Sequence, residues 1–257
     1  YSAQPNLLDF CGSSDSASKL VNQEIFGNTE LFDTPKPLEL LNYFINITTD
    51  ENDIILDFFS GSGTTAHAIM DLNAQDNGNR KFICIQWAEK TPEKSEARKA
   101  GYETIFDITK ARIDKAGEQL AKGDIGFRTF EIVEDQKQKI YQKSLEDVSQ
   151  DDLLAMMEKP DISSNEEILY NLFVAEALPL STKHEELIKD KLYLASNVAF
   201  ILGDITSDEL VEALKDKKEC EYITVYSPNI SNDKFTLEIE SNISKLGIKS
   251  DKLRFRG

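Results

Sequence analysis

A glycine-rich loop at residues 57–65, which reads D-F-F-S-G-S-G-T-T, is the segment with the clearest potential for chemistry. The apolar run at residues 54–59 is typical of a strand buried in a parallel sheet, and helical spacing of apolar residues resumes at Thr64. Glycines between a strand and a helix permit a tight turn, so backbone N–H groups can face a polar ligand at the helix start. The loop is therefore a candidate binding site.

The glycine pattern alone leaves two interpretations open and excludes a third. A phosphate-binding P-loop is excluded because Thr64 stands where that motif requires lysine. Residues 61–66 fit G-x-G-x-x-A, the pattern of a dinucleotide site, which also needs an acidic residue ~20 positions further on. The second strand ends instead in Gln86-Trp87, which weakens that interpretation. An ordinary turn between strand and helix fits equally well.

Two further features favour a ligand site. Asp57 lies at the strand end, where a carboxylate is costly unless a ligand cation or the loop's own N–H groups satisfy it. Pro35-Lys36-Pro37 precedes a predicted helix that leads directly into the strand. Taken alone, Pro-Lys-Pro indicates only a rigid helix start.

The elements around the loop predict an open, partly parallel α/β sheet. A helix follows Pro37, and a second helix follows the loop and reaches residue 72. The Asn/Gly-rich turn at residues 76–79 leads to a second strand at 81–87, and an amphipathic helix covers 108–121. Residues 1–20 are predicted to be irregular, and residues 89–100 to form an exposed helix or loop.

The remainder of the chain changes character twice. Residues 131–190 are strongly acidic and predict two helices, the second beginning at a capping pattern after Ser164 and bounded by Pro160 and Pro179. Strands at 192–195, 198–202, 222–226 and 252–255 then alternate with helices at 208–218 and 233–246. We therefore predict three parts: a ligand-binding part (1–130), an acidic helical connector (131–190) and a small α/β domain (191–257).

The charge and composition of the chain argue against several classes of function. The net charge of −17 leaves no general phosphate-binding face, so these residues alone should bind duplex DNA poorly. Three scattered cysteines and two histidines argue against a disulfide scaffold or a metal site and favour a reducing cytoplasm. No apolar run approaches the ~18 residues that span a bilayer, so no membrane association is expected. His67, Phe82 and Trp87 are each predicted to be packing residues.

Several segments in a fixed order resemble the amino-methylating DNA methyltransferases, and most closely the modification subunits of type III restriction-modification systems. The resemblance covers most of residues 30–205. It is carried by residues 35–37, 54–68, 80–86, 101–105, 112–113 and 126–128, and weakly by 166–170 and 178–180.

This resemblance implies an S-adenosylmethionine-dependent methyltransferase fold, which is Rossmann-like, and a set of cofactor-binding residues. The glycine loop would wrap the amino-acid end of the cofactor, Lys36 and Pro37 would close the pocket, and Gln86 would lie near the ribose and adenine. Many methyltransferases place an acidic residue at the position of Gln86. The implied loop contacts are Asp57, Phe58, Phe59, Gly61, Ser62, Gly63, Thr64 and Thr65.

The family also carries a catalytic tetrapeptide in which a polar residue precedes two prolines and an aromatic residue, and which holds the flipped target base. The chain contains no Pro-Pro, so no catalytic residue is assigned. In a permuted subgroup the tetrapeptide and the DNA-reading region precede the cofactor motifs. With Tyr1 in place of methionine, the sequence is therefore interpreted as a C-terminal fragment that is inactive alone.

As a whole protein, the resemblance implies methyl transfer to adenine N6, DNA contact through the N-terminal region, a homodimer and a partner restriction subunit. The adenine target rests on the family alone. Two alternatives are a nicotinamide-dependent oxidoreductase, which Lys36, Asp57 and Gln86 disfavour, and a non-catalytic protein-interaction module. The second alternative is compatible with membership of a restriction-modification complex.

Overall fold

The computed structural model of the chain describes residues 9–27, 29–120, 123–133, 143–144, 147–157, 164–231 and 235–256. The chain divides into two compact units, residues 1–127 and 128–257. Within these described ranges, no helix is both long enough and apolar enough to cross a membrane.

The first unit is an α/β arrangement around two short parallel strands. In chain order its elements are α1 (Ser14–Ser18), a π-helix (Lys19–Ile25), α2 (Leu38–Thr48), β1 (Ile54–Asp57), α3 (Thr64–Asp76), β2 (Lys81–Cys84), α4 (Glu96–Lys99) and α5 (Ile105–Gln119). β1 pairs with β2 in parallel, and Asp57 lies opposite Cys84. The predicted small parallel sheet is therefore confirmed.

Helix α3 forms the centre of this unit. Ile69 and Leu72 of α3 pack with Ile45 of α2 in one cluster, while Ala66 and Met70 pack with Ile113 of α5 in another. The half-buried Phe82 of β2 contacts both clusters. This packing places the start of α3, and hence the glycine loop, between the sheet and α5.

The opposite face of the two-stranded sheet is open. Side chains two apart in a strand point to the same face, and in this sheet that face carries the exposed residues Ile54, Leu56, Ile83 and Ile85. Parallel sheets in proteins are almost always covered on both faces. The described part of the first unit thus buries only one face of its sheet.

The second unit contains a five-stranded mixed sheet. Its elements are α6 (Gln150–Met157), α7 (Asn165–Ala175), β3 (His184–Ile188), β4 (Leu192–Ala195), β5 (Val198–Ile201), α8 (Ser207–Leu214), β6 (Tyr222–Tyr226), α9 (Phe235–Ile243) and β7 (Leu253–Arg256). The strands lie in sequence order, antiparallel from β3 to β5 and parallel from β5 to β7.

Helices cover both faces of this sheet. Leu210 of α8 and Phe235 of α9 pack on one face, and Phe173 of α7 packs on the other face against Phe200. Helix α7, which the sequence places in an acidic connector, therefore contributes to the core of the second unit. The division into three domains stays a prediction.

Several sequence predictions need correction. The irregular lead-in is helical from Ser14, because Ser13 and Ser16 form a capping box. Strand β3 was not predicted, since its exposed Glu185 and Glu186 interrupt the apolar pattern. The predicted packing role of Trp87 is wrong, because its side chain is 84% exposed. Pro160 lies outside the described residues.

Candidate cofactor site

The glycine loop begins as a continuation of the parallel sheet. The backbone N–H of Ile85 donates to the carbonyl of Asp57 at 2.8 Å, and the N–H of Ser60 donates to the carbonyl of Ile85 at 3.1 Å. The chain then turns, with the N–H of Gly63 donating to the carbonyl of Ser60 at 2.8 Å. The sheet therefore fixes one end of the loop and α3 fixes the other.

Position 63 requires glycine, both because of its backbone conformation and because of the atoms that surround it. It precedes α3 with φ of 81°, a left-handed conformation that side chains rarely adopt. A Cβ there would lie 3.1 Å from Cγ1 of Ile113 and 3.2 Å from the carbonyl oxygen of Thr109. No side chain caps α3, and Ser62, Thr64 and Thr65 around its start are buried.

Asp57 is half-buried and is held by the loop that follows it. One carboxylate oxygen accepts from the backbone N–H of Phe59 at 3.0 Å, and the other accepts from the hydroxyl of Thr65 at 2.5 Å. Of the two sequence explanations for this carboxylate, the loop's own donors are therefore the one observed. Since an ionised carboxylate can accept about four hydrogen bonds, Asp57 retains capacity for a ligand cation.

The Lys-Pro segment lies beside the start of α3. The hydroxyl of Thr64 donates to the carbonyl oxygen of Lys36 at 3.5 Å, across 28 residues of sequence. The side chain of Lys36 is exposed, while Pro37 is half-buried and immediately precedes α2. The structure thus brings this segment and the glycine loop together, as the resemblance implies.

Asn22, which sequence reasoning missed, fixes the approach to the Lys-Pro segment. Its buried amide oxygen accepts from the N–H groups of Leu31 and Phe32 at 3.0 and 3.2 Å. Its amide nitrogen donates to the carbonyl of Phe32 at 3.0 Å. These bonds give residues 31–32 the partners that a neighbouring strand would otherwise supply.

Gln86 lies at the end of the second strand, but its side chain is directed to the loop. Its amide oxygen accepts from the N–H of Gly61 at 2.7 Å, and its amide nitrogen donates to the carbonyl of Trp87 at 3.0 Å. Gln86 therefore braces the loop. A contact to a ribose, which the resemblance implies, would have to share or replace these bonds.

Two residues of helix α5 form hydrogen bonds to the glycine loop. The hydroxyl of Thr109 donates to the carbonyl of Gly61 at 2.5 Å. The guanidinium of Arg112 donates through Nη1 to the hydroxyls of Ser62 and Thr64, both at 2.7 Å. Arg112 is fully buried, and the burial lowers its pKa to about 10, so it remains charged at neutral pH.

The other titratable groups near the loop are unsuited to catalysis. Burial and the neighbouring Arg112 charge lower the pKa of His67 to about 4, so this histidine is neutral at pH 7. Burial raises the pKa of the Cys84 thiol to about 11, which keeps it protonated and unreactive. His67 is buried in α3, consistent with the packing role that the sequence predicts.

Three aromatic side chains surround the ends of the two strands. Phe58 and Phe59 follow β1, Trp87 follows β2, and Phe59 is 91% exposed. Exposed aromatic groups beside a polar loop can bind the flat apolar part of a ligand. Phe58 and Phe59 belong to the predicted site, whereas Trp87 was missed because its apolar character suggested burial.

Two comparisons with known proteins bear on this segment. Residues 10–97 match a protein-family model that is described as DNA methylase. The name of this family specifies methylation at N6 or N4. The match includes the Lys-Pro segment, the glycine loop and Gln86, but not Thr109 or Arg112.

Curated relatives agree with the family match. The chain is 37% identical to the type III restriction-modification enzyme StyLTI Mod subunit of Salmonella typhimurium, over 49% of this chain and 20% of the relative. It is 40% identical to the EcoP15I Mod subunit of Escherichia coli, over 42% and 16%, and 38% identical to the type II methyltransferase M.KpnI of Klebsiella pneumoniae, over 43% and 26%. The predicted resemblance is confirmed, and the matched segment spans only 16% to 26% of the length of these relatives.

Proposed function

We propose that this chain is the S-adenosylmethionine-binding and C-terminal part of a site-specific DNA methyltransferase, the modification subunit of a restriction-modification system. The observation that carries the proposal is the convergence of residues 57–65, Lys36-Pro37 and Gln86 at one end of a parallel strand pair. This convergence lies inside the segment that matches the DNA methylase family. The whole enzyme would methylate adenine at N6.

The residues present suit an amino-acid-bearing nucleoside. Asp57 can accept from the ligand's amine, the uncapped start of α3 can donate to its carboxylate, and Phe58, Phe59 and Trp87 can contact its adenine. Ser62, Thr64 and Thr65 shape the loop through their hydroxyls. The bound cofactor supplies the electrophilic methyl group, while these residues hold and orient it.

The open face of the first unit's sheet supports a place within a larger domain. Ile54, Leu56, Ile83 and Ile85 expose apolar side chains on one face, with Lys81 opposite Ile54, and a complete parallel sheet would cover this face. The curated relatives are several times longer than their matched segment. We propose that the rest of the methyltransferase domain packs on this face and completes a Rossmann-like sheet.

The partners follow from the same proposal. DNA would bind through a region outside this chain, because a chain with a net charge of −17 lacks the basic surface that phosphates require. Association with a restriction subunit is proposed from the names of the type III relatives, and a homodimer and a cytoplasmic location are proposed from the family resemblance alone. The base-binding tetrapeptide would also be supplied from outside this chain.

Calorimetric titration tests the cofactor assignment directly. The chain is titrated with S-adenosylhomocysteine and, separately, with NAD. We expect weak but measurable binding of S-adenosylhomocysteine only, since the side of the pocket that the tetrapeptide would form is absent. Preferential binding of NAD would favour the oxidoreductase alternative, and binding of neither ligand would contradict the proposal.

A further inference from the structure

Arg112 is a buried cation for which the described residues supply no carboxylate partner. Its side chain is fully inaccessible, and its hydrogen-bond partners are the hydroxyls of Ser62 and Thr64, the carbonyl of Ser62 at 3.4 Å and Nδ1 of His67 at 3.5 Å. Its Nε has no hydrogen-bond partner among the described residues. Because burying an unpaired charge is costly, a residue of this kind needs a compensating interaction.

The position of this cation is also electrostatically unusual. The start of α3 carries a partial positive charge from the helix dipole, and Gly63 leaves that end uncapped. Arg112 binds Ser62 and Thr64, the two residues on either side of Gly63. Two sources of positive potential therefore coincide at the loop, and an anion bound there would interact favourably with both.

We propose that Arg112 is a positioning residue that makes the glycine loop selective for the carboxylate of the ligand's amino-acid end. The inference rests on the proposed function, because it assumes that the loop binds S-adenosylmethionine. Arg112 acts in two ways. Its Nη1 fixes the hydroxyls of Ser62 and Thr64 and thereby the directions of the loop's N–H groups, and its charge stabilises a carboxylate that it does not touch.

Arginine suits this role better than lysine. The planar guanidinium can donate from one nitrogen to two hydroxyls and from another toward His67, whereas an ammonium group on a flexible chain holds no fixed geometry. His67 is neutral at pH 7, so it accepts from the guanidinium without adding a second positive charge. Asp57 accepts from Phe59 and Thr65 on the strand side of the loop, where it would suit the ligand's amine instead.

The experiment compares two ligands that differ only in the carboxylate. S-adenosylhomocysteine and its decarboxylated analogue are titrated into the whole chain and into the Arg112→Met, Arg112→Gln and Arg112→Lys variants. The measured quantity is the ratio of the two affinities. We expect the Met and Gln variants to lower this ratio at least about fivefold, because the charge is lost, and the Lys variant to recover part of it.

Each other outcome overturns a specific statement. A ratio that changes less than this in the neutral variants, or a Lys variant that behaves like the Met variant, would show that the charge does not select the carboxylate. A wild-type chain that binds both ligands equally would also overturn the inference, while leaving cofactor binding intact. Binding of neither ligand by wild type would contradict the proposed function itself. If circular dichroism shows that Arg112→Met is unfolded, the affinity ratio of Arg112→Gln tests the inference instead, since the glutamine amide can still donate to Ser62 or Thr64.

Discussion

The side-chain oxygen of Gln86 accepts a 2.7 Å hydrogen bond from the backbone N–H of Gly61, across 25 residues of sequence. This bond ties the end of the second strand to the middle of the glycine loop. The same loop is held from the other side by Thr109, whose hydroxyl donates to the carbonyl of Gly61. Both polar groups of the Gly61 backbone are thus satisfied by side chains, which orders the loop before any ligand binds.

Replacing Gln86 with leucine should loosen the loop and weaken cofactor binding. The N–H of Gly61 would lose its acceptor, and a hydrogen bond of this kind contributes about 1 kcal/mol. We expect the affinity for S-adenosylhomocysteine to fall about fivefold by calorimetry, which is that free energy expressed as a ratio. Gln75→Leu, at an exposed position of α3, is the matched control. Equal affinities in the two variants would remove Gln86 from the site.

Asp57→Ala should abolish measurable binding of S-adenosylhomocysteine. The change removes the acceptor for Phe59 and Thr65 and also the carboxylate available to a ligand amine. Losing a charged acceptor costs about 1.5–3 kcal/mol, which takes an already weak affinity below calorimetric detection. Asp114→Ala, on the exposed side of α5, should bind as wild type does. An Asp57→Ala protein that retained full affinity would exclude a role for this carboxylate.

Gly63→Ala should destabilise the first unit more than Gly101→Ala. Both glycines have positive φ, 81° and 92°, so alanine costs about 1–2 kcal/mol at each from backbone strain alone. Only at Gly63 would the new Cβ also meet Ile113 and Thr109, whereas nothing lies within 4 Å at Gly101. Steric crowding adds about 1–3 kcal/mol. Urea midpoints of the two variants provide the comparison, and equal midpoints would show that the loop relaxes without cost.

The predictable parts of this molecule are those with local signals. A pattern of only a few residues is enough to predict each of these elements: the glycine loop, the Ser164 capping box that begins α7, and the short apolar strands β4, β5 and β6. Strand β3 could not be recognised in this way, because it is an edge strand whose exposed Glu185 and Glu186 break the apolar alternation.

The hydrogen bonds that hold the glycine loop join residues that are far apart in the sequence. Arg112 meets Ser62 across 50 residues and Thr109 meets Gly61 across 48, so no spacing in the sequence marks either contact. Trp87 was assigned to the core from its residue type, yet its burial depends on what covers the sheet end. In physical terms, sequence patterns encode periodicity and turns, while tertiary hydrogen bonds arise only when the elements have packed.

His67 should make the first unit acid-sensitive. Its folded pKa of about 4 lies below the ordinary value of 6.5, so the unfolded chain binds the proton more tightly between these values. Its contribution to stability is therefore complete above pH 6.5 and is lost as the pH falls toward 4. From pH 7 to pH 4.5 the loss is about 2–3 kcal/mol.

A His67→Gln variant should lose less stability over that interval than wild type. Urea unfolding at pH 7 and pH 4.5 measures the difference, because the carboxylates titrate alike in both proteins. His184→Gln, in the second unit, is the matched control and should follow wild type in the unfolding of the first unit. An identical pH dependence in wild type and His67→Gln would show that His67 is accessible to protons in the folded state.

The chain should not methylate DNA by itself, even though it carries the glycine loop that we propose binds the cofactor. Methyl transfer requires the target amine to be held in line with the methyl group, and positioning of this kind supplies ~7–11 kcal/mol of a reaction barrier. No Pro-Pro-aromatic segment is present to accept the amine's hydrogen bonds or to stack the flipped base.

The net charge of −17 also deprives the chain of an electrostatic hold on the phosphate backbone. Both deficits act on the same step, since an amine that is neither bound nor oriented cannot meet the methyl group. Incubation with radiolabelled S-adenosylmethionine and mixed-sequence duplex DNA should therefore transfer no label above a control without protein. Label on adenine would reveal a catalytic site within these residues. Adding the N-terminal part of a type III modification subunit in trans should restore methyl transfer only if that part packs on the open face formed by Ile54, Leu56, Ile83 and Ile85. In that case, the Leu56→Lys variant should not regain methyl transfer, because the new charge lies on this face.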